Sequence, residues 1–271
     1  MVSLSTAIEH AWEAEQEEPA RQYIGASIIG NSCPAYLSLS LRGFPNDPPS
    51  PRLKRIFRDG HRIEEQVVAD LKKAGIEVME VDPATGKQWE VKLYGGHVSM
   101  HADGKIALAG DTLLLEIKSM NGSKFTSFKN KGVRHSHPIY FDQVQFMLGH
   151  FGMLRARLVA YCKNTSEYHD EEIEFDPIRF GFLCLRAEQV LDGEARRISD
   201  TPAFWECKGC FKRTACWQEG TPEKSCGTCA HSKPLTNHTN GTMKLWHCKR
   251  HDLVGNVHCT DWIEWRPDDK R

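Results

Sequence analysis

The sequence predicts an α/β protein: a central mixed β-sheet flanked by helices, with a small cysteine-rich, metal-binding extension at its C-terminal end. Three observations lead there. From about residue 52 to residue 198 the apolar positions alternate between helical and strand periodicity, in the order helix, strands, helix, strands, helix. Beyond residue 200 that periodicity stops. The cysteines are unevenly placed: Cys33, Cys162 and Cys184 precede residue 200, and the other seven lie between Cys207 and Cys259.

Each element has its own signal. Residues 4–21 read as a solvated helix, and 26–42, "ASIIGNSCPAYLSLSLR", as a helix or a turn and helix. "FPNDPPSP" is a loop by its prolines. In "RLKRIFRDGHRIEEQVVADLKKAG" the residues Ile56, Ile63, Val67 and Leu71 recur at helical spacing, and Gly75 is placed to end the helix. Strands are expected at 76–81, 88–94, 97–102 and 112–118, a helix at about 138–151, strands at 155–162 and 170–175, and a long helix at 178–198. Cys162 and Cys184 fall on the strand and the last helix and read as core. No internal repeat is visible.

A chain of 271 residues can bury one good core and a small satellite. Its net charge of -1 gives no global field for a polyanion, so a nucleic-acid surface has to be a local patch. No apolar run approaches the ~20 residues of a membrane span. Glu9, Glu13, Glu15, Glu17 and Glu18 precede the first Lys or Arg, the wrong sign for a secretory leader, so a cytoplasmic location is expected. In that reducing compartment a clustered set of thiols reads as metal binding rather than as disulfides.

The stretch "DGKIALAGDTLLLEIKS" carries the chemistry. Side chains alternate along a strand, which puts Leu113, Leu115 and Ile117 on one face and Leu114, Glu116 and Lys118 on the other. A half-buried carboxylate and ammonium need partners. A hairpin would bring Asp103 beside Glu116, and two carboxylates make a hard-oxygen site suited to Mg²⁺ or Mn²⁺. Lys118 can hold a water or stabilise a phosphate. His61 and Glu64, three residues apart, project from one helical face toward the same cleft. The set suits metal-assisted phosphodiester hydrolysis. An isolated E-x-K on a strand is more often a surface ion pair; the acid at hairpin spacing and the G-H-x-x-E helix set this one apart.

From Ile117 to Phe141 the chain has no acidic residue. It holds Lys124, Lys129, Lys131 and Arg134 with Phe125 and Phe128 interleaved, a basic loop suited to track DNA and stack on a displaced base. In the tail, Cys207, Cys210 and Cys216 form C-x2-C-x5-C and need a fourth ligand, for which Cys33 in "NSCPAYL" is the candidate. Cys226, Cys229, Cys248 and Cys259 form a second set suited to Zn²⁺, with His231, His247, His251 and His258 near enough to replace a thiolate.

"GHRIEE", "HADG", "LEIKS" and "FDQVQFMLGHFG" resemble the PD-(D/E)XK nuclease superfamily, most closely its RecB-type and phage lambda-type exonucleases, from about Tyr23 to Trp262. The resemblance implies a restriction-endonuclease-like core over residues 1–200 with metal on His61, Asp103 and Glu116, Glu64 in an outer site, Lys118 as catalytic lysine, and a glutamine motif at Gln143 and Gln145. Those two glutamines lie two apart on a helix and do not point at one atom; the usual Gln-x-x-x-Tyr pattern is absent, Met147 and Gly149 standing at the tyrosine's positions. One N-terminal and three C-terminal cysteines resemble the 4Fe–4S staple of AddB-type and CRISPR adaptation nucleases. The staple would close segment 201–220 onto Cys33, though Ala35 stands where the family carries a basic residue, and spacing alone fits Zn²⁺ as well. The second set, within 221–271, resembles a zinc knuckle of some phage exonucleases. The implied function is DNA end resection beside a single-strand annealing partner, in the bacterial host cytosol if phage-encoded. A non-catalytic DNA-binding module and a structure-specific endonuclease on the same fold are the alternatives.

Overall fold

Strand β8, Asp111–Met120, organises the protein because its two faces are covered by different layers. The computed structural model describes residues 3–15, 19–237, 244–255 and 259–268. Helices are α1 (Leu4–Glu13), α2 (Ala26–Ile29), α3 (Pro34–Leu41), α4 (Pro51–Lys73), α5 (Gly122–Ser136), α6 (Pro138–Phe151), α7 (Pro177–Leu191), α8 (Trp205–Lys208) and α9 (Arg213–Trp217). Strands are β1 (Ile24–Gly25), β2 (Glu77–Met79), β3 (Val81–Asp82), β4 (Lys87–Gln88), β5 (Glu90–Leu93), β6 (Val98–His101), β7 (Gly104–Leu108), β8, β9 (Arg155–Cys162), β10 (Tyr168–Glu174), β11 (Ser232–Pro234), β12 (Trp246–Cys248) and β13 (Leu253–Gly255).

The central sheet has the order β10-β9-β8-β7-β2. Its β8–β9 pair is parallel and its other pairs antiparallel, so the expected mixed sheet flanked by helices is the one observed. Leu113, Leu115 and Ile117 meet Val67 and Val68 of α4 on one face. Leu114, Ala156, Leu158 and Ala160 meet Val144, Phe146 and Leu183 of α6 and α7 on the other. The strict alternation of these partners is the two-residue repeat of a strand buried on both sides.

Helix α4 starts where Ser50 accepts from the Leu53 amide at 3.3 Å with Pro51 in its first turn. It ends at Gly75, whose φ of +81° is the left-handed conformation that stops a helix. Several expected boundaries shift. The 26–42 segment divides into α2 and α3, α1 stops at Glu13, and α7 stops at Leu191 instead of 198. Strand β7 was not expected. Strand β6 (expected as 97–102) belongs to a second sheet of order β1-β6-β5, and β7 is the hairpin partner of β8. Asp103 therefore sits at the bend where the chain leaves one sheet and enters the other.

The basic segment after Lys118 is not a loop. It forms α5, capped by Asn121, whose side chain accepts from the Lys124 amide at 2.9 Å. Gly132, at φ +70°, breaks the helix toward its end. The tail carries a small antiparallel sheet, β11-β12-β13, and its Trp246 is fully buried in the main core. Among the described residues no helix is long and apolar enough to cross a membrane.

Candidate active site

The pairing of Gly104 with Leu115 sets Asp103 beside Glu116 across the β7–β8 hairpin. Asp103 Oδ2 accepts the Ile117 backbone N–H at 2.7 Å, which fixes that carboxylate at the strand's edge. Glu116 is buried, 1% exposed. Its Oε1 accepts from Gln143 Nε2 of α6 at 2.7 Å and pairs with Lys118 Nζ. Its Oε2 is buried with no hydrogen-bond partner. Lys118 Nζ also lies 5.1 Å over the Tyr140 ring. That ring is stacked on His137, with centroids 5.3 Å apart.

Glu64 of α4 completes the acidic group. It lies close enough to Asp103 for its charge to raise the Asp103 carboxyl. Burial, then the Glu64 charge, pushes Asp103 up to about 6. Burial pushes Glu116 up to about 7 even though Lys118 opposes the shift. Burial and the Glu116 charge raise Glu64. Burial alone would lower the Lys118 ammonium, but Glu116 and Asp103 outweigh it and hold it above the ordinary lysine value. Three carboxyls crowded out of water around an unsatisfied oxygen form a site that a hard divalent cation would satisfy.

Glu64 and Lys118 of this group line a cleft of about 1060 Å³. His61 and Lys124 line it, as the sequence predicts. So do Arg21, Arg52, Tyr140 and Lys163, which sequence reasoning missed. Arg52 was legible in principle, since Arg52, Ile56, Gly60 and Glu64 recur every four residues and form one helical stripe. Lys163 was not. It follows β9 and reaches the cleft only because β9 runs parallel to β8.

Some expected site residues stand elsewhere. Gln145 is fully buried and turned away from Glu116, donating to the Glu174 carbonyl at 2.8 Å and accepting from the Asp176 amide at 2.7 Å. It joins α6 to the start of α7. Phe125 and Phe128 are 3% and 0% exposed, because α5 is amphipathic and turns them into the core, so neither can stack on a base. Arg134 pairs with Asp176 at 3.3 Å and covers Phe141, whereas Lys129 and Lys131 are exposed. His61 is exposed at the cleft wall. Among the described residues, the set of three potential metal-ligating atoms lying within 4.8 Å of one another is on His251, Cys259 and Asp261, not on His61, Asp103 and Glu116.

The cysteines gather in two places. Cys33 and Cys216 share a small apolar cluster with Leu39 and Phe44. Burial, reinforced by Cys33, Cys216 and Cys207, pushes Cys210 up to about 11. Lys212 is buried beside them, donates to the Phe44 carbonyl, and is lowered to about 8 by burial. Cys226, Cys229, Cys248 and Cys259 line a cavity of about 350 Å³ together with His231 and His251. His231 Nε2 is buried without a partner, and His251 Nε2 lies 3.5 Å from Cys259 Sγ. His247 instead pairs with Asp252 at 2.9 Å. His258 lies outside the described residues.

No protein-family model and no curated protein matches the chain. Among solved structures it is similar to the alkaline exonuclease LHK-Exo from Laribacter hongkongensis, with a TM-score of 0.45 and 20% identity over 68% of this chain and 91% of that one. The LHK-Exo complex with dAMP gives 0.45 and 19% over 63% and 87%. SSO0001 gives 0.42 and 18% over 81% and 96%.

Proposed function

We propose that the protein is a divalent-metal-dependent deoxyribonuclease, acting as an exonuclease on DNA ends. One observation carries this reading: Asp103 and Glu116 meet behind Lys118, which with Glu64 lines a basic cleft, and Glu116 Oε2 is buried and unsatisfied. The donor set fits Mg²⁺ or Mn²⁺ on Asp103 and Glu116, with Glu64 and His61 on the α4 side. Such an ion lowers the pKa of a bound water and offsets charge developing on phosphate.

The chain's own residues do the rest. Gln143 orients Glu116 through one oxygen and leaves the other for a ligand. Lys118, held between Glu116 and Tyr140, presents its ammonium to the attacking water or the scissile phosphate. Arg21, Arg52, Lys124 and Lys163 draw the DNA backbone into the cleft, with Lys129 and Lys131 extending that track along α5. In this reading residues 1–200 form the nuclease core. Segment 201–220 closes onto Cys33 around a 4Fe–4S cluster, and 221–271 is a zinc knuckle on Cys226, Cys229, Cys248 and Cys259. The shared cavity of the second set, with its orphaned His231 nitrogen and with His251, Cys259 and Asp261 within 4.8 Å of one another, supports bound metal there, and the apolar cluster shared by Cys33 and Cys216 supports the first set. A single-strand annealing protein is the expected partner, in the cytosol.

The test is digestion of end-labelled linear DNA and of covalently closed circles by anaerobically purified protein, with iron, sulfide and zinc assayed on the same sample. Metal-dependent release of label from linear DNA alone supports the reading. Cleavage of circles points to an endonuclease. DNA binding with no cleavage under Mg²⁺ or Mn²⁺ leaves a binding module and overturns the assignment.

A further inference from the structure

The proposed nuclease site does not account for the buried charge of Arg42. Arg42, at the C-terminal end of α3, is 7% exposed and lies far in sequence from everything its guanidinium touches. Its Nη1 donates to the carbonyls of Gly227 at 2.8 Å and Cys229 at 3.2 Å, and its Nη2 to that of Ser232 at 3.0 Å. The guanidinium carbon is 5.2 Å from the centroid of the Trp246 ring and 4.5 Å from that of Trp265. The tail turn sits so close that a Cβ on Gly227 would come within 2.9 Å of the Arg42 carbonyl oxygen.

All of these partners are neutral. Among the described residues no carboxylate forms an ion pair with Arg42. A buried cation held only by carbonyl dipoles and ring faces is costly, and the cost falls when an anion forms beside it. Cys229, whose carbonyl accepts from the guanidinium, is one of the four cysteines around the tail cavity. A neutral thiol supplies no charge, whereas a metal-bound thiolate does. Several thiolates on one divalent ion leave the centre net negative.

We propose that Arg42 is the counter-cation of the tail's thiolate centre: it holds the Cys226–Cys229 turn by its carbonyls and offsets the negative charge that the cysteines acquire on binding Zn²⁺. The inference rests on the reading of Cys226, Cys229, Cys248 and Cys259 as metal ligands, and makes Arg42 a positioning residue for that site. Because Cys33 caps the other end of α3, this eight-residue helix also joins the two cysteine sets.

Two variants of the full-length protein separate charge from hydrogen bonding. Arg42→Lys keeps the charge and loses the fork; Arg42→Gln keeps an amide donor and loses the charge. The readouts are zinc per chain and the rate of zinc transfer to a chromogenic chelator at fixed pH, neither of which depends on DNA cleavage. Arg42→Gln is expected to lose zinc about 10- to 100-fold faster than wild type, with Arg42→Lys much nearer wild type. A folded Arg42→Gln protein that releases zinc at the wild-type rate overturns the proposal. So does Arg42→Lys releasing zinc at least as fast as the Gln variant. If Arg42→Gln does not fold, the Lys variant decides: slow release supports the charge role, and release accelerated by about tenfold or more overturns it. Wild-type protein that binds no zinc under any loading condition removes the metal-site reading itself, and this inference with it.

Discussion

The side-chain amide of Gln143 donates to Oε1 of Glu116 at 2.7 Å, while Gln145, two residues on, binds the backbone at Glu174 and Asp176 on the far side of the same helix. Adjacent glutamines of one motif thus have separable jobs. Gln143→Leu is expected to lower kcat about 10- to 100-fold with little change in stability, as for a group that orients a metal-binding carboxylate. Gln145→Leu leaves a buried carbonyl and a buried amide unpaired and is expected to cost about 2–4 kcal/mol in urea unfolding, with kcat near wild type. Equal effects of the two on kcat would contradict the geometry.

Lys118 carries the positive charge paired with Glu116. On the nuclease reading, Lys118→Met abolishes most turnover, about 100-fold or more, by removing a preorganised charge from the reacting phosphate. DNA affinity is expected to persist because Arg21, Arg52, Lys124 and Lys163 remain in the cleft. Parallel measurement of cleavage and of filter binding distinguishes this from a general loss of structure.

Asp103 and Glu116 have folded-state values near 6 and 7, above the ordinary carboxylate values of 3.8 and 4.5. Both shifts are upward, so the folded protein binds protons that the unfolded chain releases. Their contribution to stability is fully present below about pH 4 and is lost as pH rises through 6 to 7. Metal-free protein is therefore expected to show a Tm that falls across that window. Mg²⁺ should raise Tm more at pH 8 than at pH 5, because the ion takes the place of the protons. Glu116→Gln should flatten the metal-free pH profile and diminish the Mg²⁺ response, both readable by differential scanning fluorimetry.

Phe128 is fully buried on the inner side of α5, whereas Lys129 and Lys131 are exposed. Phe128→Ala is expected to cost about 3–5 kcal/mol of stability through the cavity it leaves. The pair Lys129→Ala and Lys131→Ala should leave stability unchanged and reduce the salt dependence of DNA binding, by up to about 0.9 in log–log slope for each phosphate that is no longer neutralised. A Phe128→Ala protein that is as stable as wild type but weakened in DNA binding would restore the base-stacking role.

Much of the site was readable locally. Strand alternation alone separated Glu116 and Lys118 from Leu113, Leu115 and Ile117, and the i, i+3 relation placed His61 and Glu64 on one helical face. The α5 segment misled because its polar composition suggests a loop. Phe125, Phe128 and Val133 supply only a narrow apolar stripe, and that stripe becomes a helix face by packing into the core. The hairpin partner of β8 was missed because "GKIAL" is only five residues long.

The sequence by itself determined the periodicities that make a mixed sheet with helices on both faces, the E-x-K strand, and the C-x2-C spacings in the tail, since each depends on neighbours a few positions apart. Tertiary structure decided which carboxylates meet, which glutamine reaches Glu116, and that Arg42 lies buried against a turn almost 190 residues downstream. Those relations come from strand register, from the parallel crossing of β8 and β9, and from the burial of Trp246. They join residues that share no local pattern, so the free energy that selects them exists only once the core has closed.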